Sequence, residues 1–233
     1  MIHVAAAALL ILPSMVAQAK PQVSFGTTKS GVKGKWSAST RLPKLAGGEL
    51  AALAQATIAK AEMRVYSEFV KEAKAFYKNP EYASNSWGYE SDMEAKVVSG
   101  SLISFLGSSY QYSGGAHGIG LKRTYNFGFV KGKAKRLTLD DVLAGTSAKR
   151  ELTLRLLEKA MQTPGTDWIE GGEVKDFTRE QLDRFWIGAD GLVFEFNPYE
   201  LGSYASGPFS FALTWGELKG LVNSKGPLGP FAR

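Results

Sequence analysis

Between Glu49 and Tyr77 the apolar residues Ala54, Ile58, Ala61, Val65, Phe69, Ala73 and Phe76 recur every three or four positions. That spacing predicts one long amphipathic helix, with Lys60, Arg64, Lys71 and Lys74 on its outer face. Asn79-Pro80 ends it, because proline has no amide hydrogen and disfavours helical geometry in the residue before it. The period then switches to that of strands. Met93–Val98, Leu102–Tyr112 and Leu121–Val130 read as strands, and in the last of them Tyr125, Phe127 and Phe129 alternate with Asn126 and Gly128. One long helix followed by consecutive strands excludes a regular alternation of strand and helix. The expected class is α+β: a curved antiparallel sheet packed on one face by a long helix and shorter helices.

The flanking segments fit this layout. Gln22 to Leu45, interrupted at Lys29-Ser30-Gly31, reads as a hairpin that ends in an arm at Leu42-Pro43, where the proline suggests an edge. Asp140–Leu143 reads as a turn and Ala148–Met161 as a second amphipathic helix. Thr178 with Gln181, and Thr214 with Glu217, have the spacing of capping boxes. Between them Leu192, Phe194 and Phe196 pair with Phe209, Phe211 and Leu213 as a hairpin with a long turn. The tail from Ser224 to Arg233 is expected to be loose.

The first nineteen residues are of another kind. Val4 to Val16 is an apolar run too short for a bilayer, which needs about 20 residues. It leads to Ala17-Gln18-Ala19 and then Lys20-Pro21, the pattern of a signal peptide cleaved after Ala19. The expected product is exported, periplasmic or extracellular, with no membrane span after signal cleavage. The expected division of the chain is 1–19 signal peptide, 20–87 hairpin and long helix, 88–223 C-terminal domain and 224–233 tail. The chain has no cysteine, so neither a disulfide nor a lipid anchor on cysteine is available.

The net charge of +6 favours anionic partners. Six Lys and Arg and no acid stand between Lys20 and Gly48, and Lys122 to Arg136 forms a second basic stretch. Both read either as solvated faces or as adhesion to an anionic polymer or phospholipid surface; export disfavours nucleic acid. No Gly-x-Gly-x-x-Gly or phosphate loop occurs, and no cofactor is implied. With His117 as the sole histidine after the signal, no histidine-pair metal motif exists, and no metal is expected.

Two segments break the strand pattern. Tyr112-Ser113-Gly114-Gly115-Ala116-His117-Gly118 sets a histidine among three glycines, which suggests positive-φ positions and close backbone approach. Asn197-Pro198-Tyr199-Glu200 through Tyr204 to Gly207 carries aromatic, acidic and glycine positions in one turn. The candidate ligand-binding residues are Tyr112, Gly114, Gly115, His117, Gly118, Asn197, Tyr199, Glu200 and Tyr204. Tyrosines supply rigid, amphipathic contact area for proteins or sugar rings. A hydrolase using His117 with Glu200 or Asp190 is the alternative; no catalytic residue is assigned.

These two segments, Tyr112–Gly118 and Asp190-Gly191 through Pro198-Tyr199-Glu200 to Tyr204 and Gly207, resemble a bacterial envelope domain of unknown function. It is the 3298-type domain of the ectodomain of the anti-sigma factor RsiV, found also beside the deacetylase domain of PdaC. Leu137–Val142 and Phe209–Leu221 are similar to that family as well, and the hairpin, the Leu42-Pro43 arm and the long helix resemble its usual companion domain. Together the resemblance spans most of Val23 to Val222. It implies an extracytoplasmic binding or sensing module linked to the cell wall, with an envelope protein, a cell-wall glycan or an anionic polymer as ligand. In RsiV the ligand is lysozyme. With the apolar run read as a signal peptide, neither a sigma-binding segment before it nor a deacetylase domain is expected, and a domain of charge +6 repels cationic lysozyme at long range. Oligomeric state is not implied.

Overall fold

The computed structural model describes residues 20–79 and 86–231. The expected signal peptide, residues 1–19, lies outside the described residues, as does Pro80. Two long strands open the fold, β1 (Gln22–Val32) and β2 (Trp36–Ala46), paired antiparallel from Gln22↔Ala46 to Val32↔Trp36. Their turn is Lys33-Gly34-Lys35, not Lys29-Ser30-Gly31 as the sequence suggested. Gly34 takes the left-handed conformation (φ 75°) that a tight hairpin needs, while residues 29–31 stay in the ladder opposite Ser37–Ser39.

Helix α1 (Gly48–Phe76) follows. Its 29 residues run about 43 Å at 1.5 Å per residue, comparable to the roughly 36 Å of the eleven-residue β2. The chain therefore re-enters the sheet at the end where β2 began. Strand β3 (Trp87–Val98) consequently lies parallel to β2, from Trp36↔Trp87 to Arg41↔Asp92. This one parallel seam makes the otherwise antiparallel sheet a mixed one. Pro43 sits past the last pair of the seam, where a missing amide costs no bond to β3.

Strands β4 (Leu102–Tyr112), β5 (Ile119–Val130) and β6 (Lys133–Arg136) complete an antiparallel meander. The result is one curled six-stranded sheet in the order β1-β2-β3-β4-β5-β6. Lys131 and Gly132, both at positive φ, make the β5–β6 turn.

One face of this sheet is covered by α1. Leu50, Ala51, Ala54 and Ile58 pack on Met93, Ile103, Phe105, Tyr125 and Phe127, and Tyr66, Phe69, Ala73 and Tyr77 pack on Trp36 and Tyr89. The opposite face, at β4 and β5, is covered by a second sheet: β7 (Phe185–Ile187), β8 (Gly191–Phe196) and β9 (Phe209–Thr214), all antiparallel. The short helices α2 (Leu139–Val142), α3 (Thr146–Met161), α4 (Asp167–Glu170) and α5 (Arg179–Asp183) belong to this side. Asn126 and Gly128, which alternate with the apolar residues of β5, are thus between the sheets. Asn126 accepts from Ser104 Oγ (2.7 Å) and donates to the Phe185 carbonyl (2.6 Å), and Ser104 Oγ accepts from the Ile187 amide (2.9 Å). Buried polar groups normally find such partners.

Both expected capping boxes form: Thr178 and Gln181 bond reciprocally, as do Thr214 and Glu217. The C-terminal segment is packed rather than loose through Phe231. Leu228 is fully buried in the core, and the Phe231 ring stacks 4.8 Å from that of Trp215. Among the described residues no helix is long and apolar enough to cross a membrane.

Candidate functional site

Strand register puts the β4–β5 loop, 113–118, at the end of the sheet that also holds the β1–β2 turn and the start of β3. The β8–β9 loop, 197–208, reaches the same place. One side chain ties it there directly to β5. The Asn197 amide accepts from the Lys122 backbone N–H (2.7 Å) and donates to the Lys122 carbonyl (3.4 Å), making the two bonds that a neighbouring strand would make.

The two candidate segments therefore meet. The His117 ring stacks on Tyr204 with 3.7 Å between centroids, and Tyr204 donates its hydroxyl to the Gly118 carbonyl at 2.8 Å. His117 Nδ1 lies 3.0 Å from the Gly118 carbonyl. A carbonyl only accepts, so Nδ1 donates to it, and Nε2 lies 3.5 Å from the Tyr199 hydroxyl. Tyr199 is 47% exposed and adopts φ 66°, a left-handed backbone that costs a bulky residue about 1–2 kcal/mol. Its ring centroid is 5.7 Å from that of Tyr204.

The glycines around His117 differ in what they supply. Gly114 alone needs its freedom of φ (86°). Gly118 is required for closeness, since a Cβ there would meet the Tyr110 ring and, at 2.7 Å, the Gln111 carbonyl. Gly115 has no such demand: the nearest atom to a Cβ is 3.8 Å away. Of the positive φ and close backbone approach expected in this turn, Gly114 supplies the first and Gly118 the second. Tyr112 closes β4 opposite Gly88 and is half-buried.

Glu200 does not face His117. Both its oxygens accept from Arg184 Nη1 (2.9 and 2.6 Å), and one also accepts from the Asn197 amide (2.8 Å). It holds the loop. Asp190 and Glu200 flank opposite ends of β8, which spans roughly 20 Å at 3.3 Å per residue. Glycosidase carboxylates work about 5–9.5 Å apart. Glu195 is buried and accepts from Trp186 Nε1 (2.8 Å) and Ser210 Oγ (2.6 Å). Among the described residues, no three His, Cys, Asp or Glu side chains gather as a metal-ligand set.

Beside the ring cluster opens a groove of about 340 Å³, walled by Tyr110, Leu121, Lys122, Pro198, Tyr204 and Pro208. Its lining is largely apolar and includes no Asp or Glu. Lys122 Nζ donates to Ser108 Oγ (2.7 Å) at its wall. Lys131 and Lys133 lie at the far end of β5, roughly 36 Å away by strand rise. Lys135 is paired with Asp141 at 2.6 Å, and that bond helps hold the Asp141 carboxyl below its usual value despite partial burial.

One polar cluster went unread in the sequence. Glu62, 1% exposed on the inner face of α1, accepts from Arg123 Nε (2.8 Å) and Nη2 (2.9 Å) and from the Tyr125 hydroxyl (2.6 Å). Burial works against the Arg123 charge, but the bonds and charge of Glu62 outweigh it and raise its pKa. Burial, reinforced by the Glu62 charge, pushes the Tyr125 phenol up. The available signal was an acid at 62 in line with 54, 58, 66, 69 and 73.

Residues 136–216 match the family model described as protein of unknown function (DUF3298), and residues 33–120 match the model described as Deacetylase PdaC. Solved structures share the fold. A member of the DUF3298 family from Bacteroides fragilis aligns with TM-score 0.63 at 17% identity, over 92% of this chain and 98% of that one. A DUF3298 family protein from Pseudomonas aeruginosa aligns with TM-score 0.57 at 14% identity, over 89% and 96%. No curated protein matches the chain.

Proposed function

We propose, for a chain that carries a PdaC-type segment followed by a DUF3298-type domain, that it is an exported, non-catalytic binding module of the bacterial cell envelope. Its ligand is a cell-wall polymer or envelope protein that lays a ring or other apolar group on the tyrosines and offers an anionic group to Lys122. The observation that carries this reading is the junction of the two loops. His117, Tyr199 and Tyr204 are gathered there by Asn197 and Glu200, beside a groove with one cation and no carboxylate. Stacked, pre-positioned aromatic rings give contact area at low entropic cost. Asn197 and Glu200 position the site, and His117, Tyr199, Tyr204 and Lys122 touch the ligand.

Binding of the purified chain to peptidoglycan fragments, anionic wall polymers and lysozyme at low salt tests the proposal. Tyr204→Ala and Lys122→Gln are expected to weaken retention about tenfold, while Lys131→Glu with Lys133→Glu at the far end leaves it within about twofold. Retention on none of these ligands, or loss through the far-end pair and not through Tyr204, would overturn it.

A further inference from the structure

The ladder of β5 has a gap. On the side away from β4, β6 pairs only with Phe127–Val130, and the Leu137 amide extends that coverage to the Asn126 carbonyl (2.7 Å). At the other end the Asn197 side chain closes the ladder at Lys122. Peptide groups in an antiparallel strand alternate in direction, so Thr124, between these two, also turns its N–H and C=O away from β4. Its carbonyl accepts from Arg136 Nη2 at 3.3 Å. Its N–H faces a cleft of about 400 Å³ between β5 and α5.

The charges around this cleft are unevenly matched. Arg123 is held by Glu62 through Nε and Nη2, and Arg184 by Glu200. Across the cleft, Asp183 accepts from the Leu139 amide (2.7 Å) and lies 3.5 Å from Arg179, while Glu180 lies 3.5 Å from Arg184. Arg136 is the exception. Its guanidinium lies 5.0 Å from the Tyr125 ring centroid, it is exposed, and among the described residues it has no carboxylate partner. A surplus guanidinium beside a recessed strand edge, where Thr124 is buried, suits an anionic group at the end of an extended chain.

The geometry points to a second binding site here, separate from the loop junction, for the C-terminal carboxylate of an extended peptide. The peptide adds to β5 at Thr124, taking the Thr124 N–H, and its carboxylate pairs with Arg136. The volume is that of a small-molecule site, so the cleft takes the end of a chain rather than a long strand.

The probe is a pool of N-acetylated tripeptides ending in alanine, randomised at the first two positions, as free acids and as C-terminal amides. Binding is read from the Thr124 and Asn126 amide signals by NMR. The acids are expected to shift Thr124 and to bind at least tenfold tighter than the amides. Arg136→Gln, whose melting temperature confirms folding, abolishes that difference, while Lys131→Gln, which removes the same charge from the β5–β6 turn, preserves it. Equal binding of acid and amide, an unmoved Thr124 signal, or a Thr124 shift reproduced by inorganic phosphate alone would each overturn the proposal.

Discussion

A carboxylate on the buried stripe of a helix survives only if its charge is answered, and Glu62 is answered three times, by two bonds from Arg123 and one from Tyr125. Removing one partner of a buried pair strands the other. Glu62→Ala should therefore lower unfolding free energy by about 3 kcal/mol, read from denaturant titration, although it removes no apolar contact. At this scale the sequence was informative about residue types and poor about partners. The rings at 199 and 204 and the histidine at 117 stood out as a candidate site because glycine and aromatic residues interrupt a strand pattern. That Glu200 serves Arg184 and not His117 depends on a contact sixteen residues away, which no local pattern encodes. Glu62 and Arg123 are 61 positions apart, and the helix period points to the burial of Glu62 but not to what lies opposite it.

Helix and strand periods, and the caps between elements, were legible because they are local. The long helix and the two capping boxes lie where their spacing put them. The turn of the first hairpin was misplaced because two glycines, Gly31 and Gly34, compete within four residues, and only the backbone reveals which takes positive φ. The Thr214–Glu217 box also makes a pH prediction. The Lys159 ammonium and the Thr214 amide and hydroxyl bond Glu217 and hold its carboxyl down to about 2 from 4.5. A lowered folded value means that its contribution is complete above pH 4.5 and is lost as the pH falls toward 2. Thermal melts between pH 2 and 6 should show a shallower acid decline for Glu217→Gln than for the parent. Equal slopes would show that the bond does not govern acid stability.

At the scale of the molecule, the α+β class followed from one long helix ahead of a run of strands, but the layering did not. A polar residue such as Asn126 reads as solvent-facing in a strand pattern. Here it joins two sheets through Ser104, Phe185 and Ile187. With that bridge intact the two sheets should unfold in one cooperative transition. Asn126→Ala, which takes this partner from the Ser104 hydroxyl and the Phe185 carbonyl at about 1–3 kcal/mol each, should broaden the calorimetric transition or split it in two. The parallel seam carries a different kind of consequence, one of time. The β1–β2 hairpin and the β3–β6 meander each join neighbours in sequence, whereas the β2–β3 seam waits for 29 residues of helix to be laid across the sheet. Contacts that close long loops form late in folding. In pulse-labelling hydrogen exchange during refolding, amides of the β4–β5 ladder such as Phe105 should gain protection before those of the seam such as Ser39. The last event of assembly would then be the docking of two prefolded pieces along a single line.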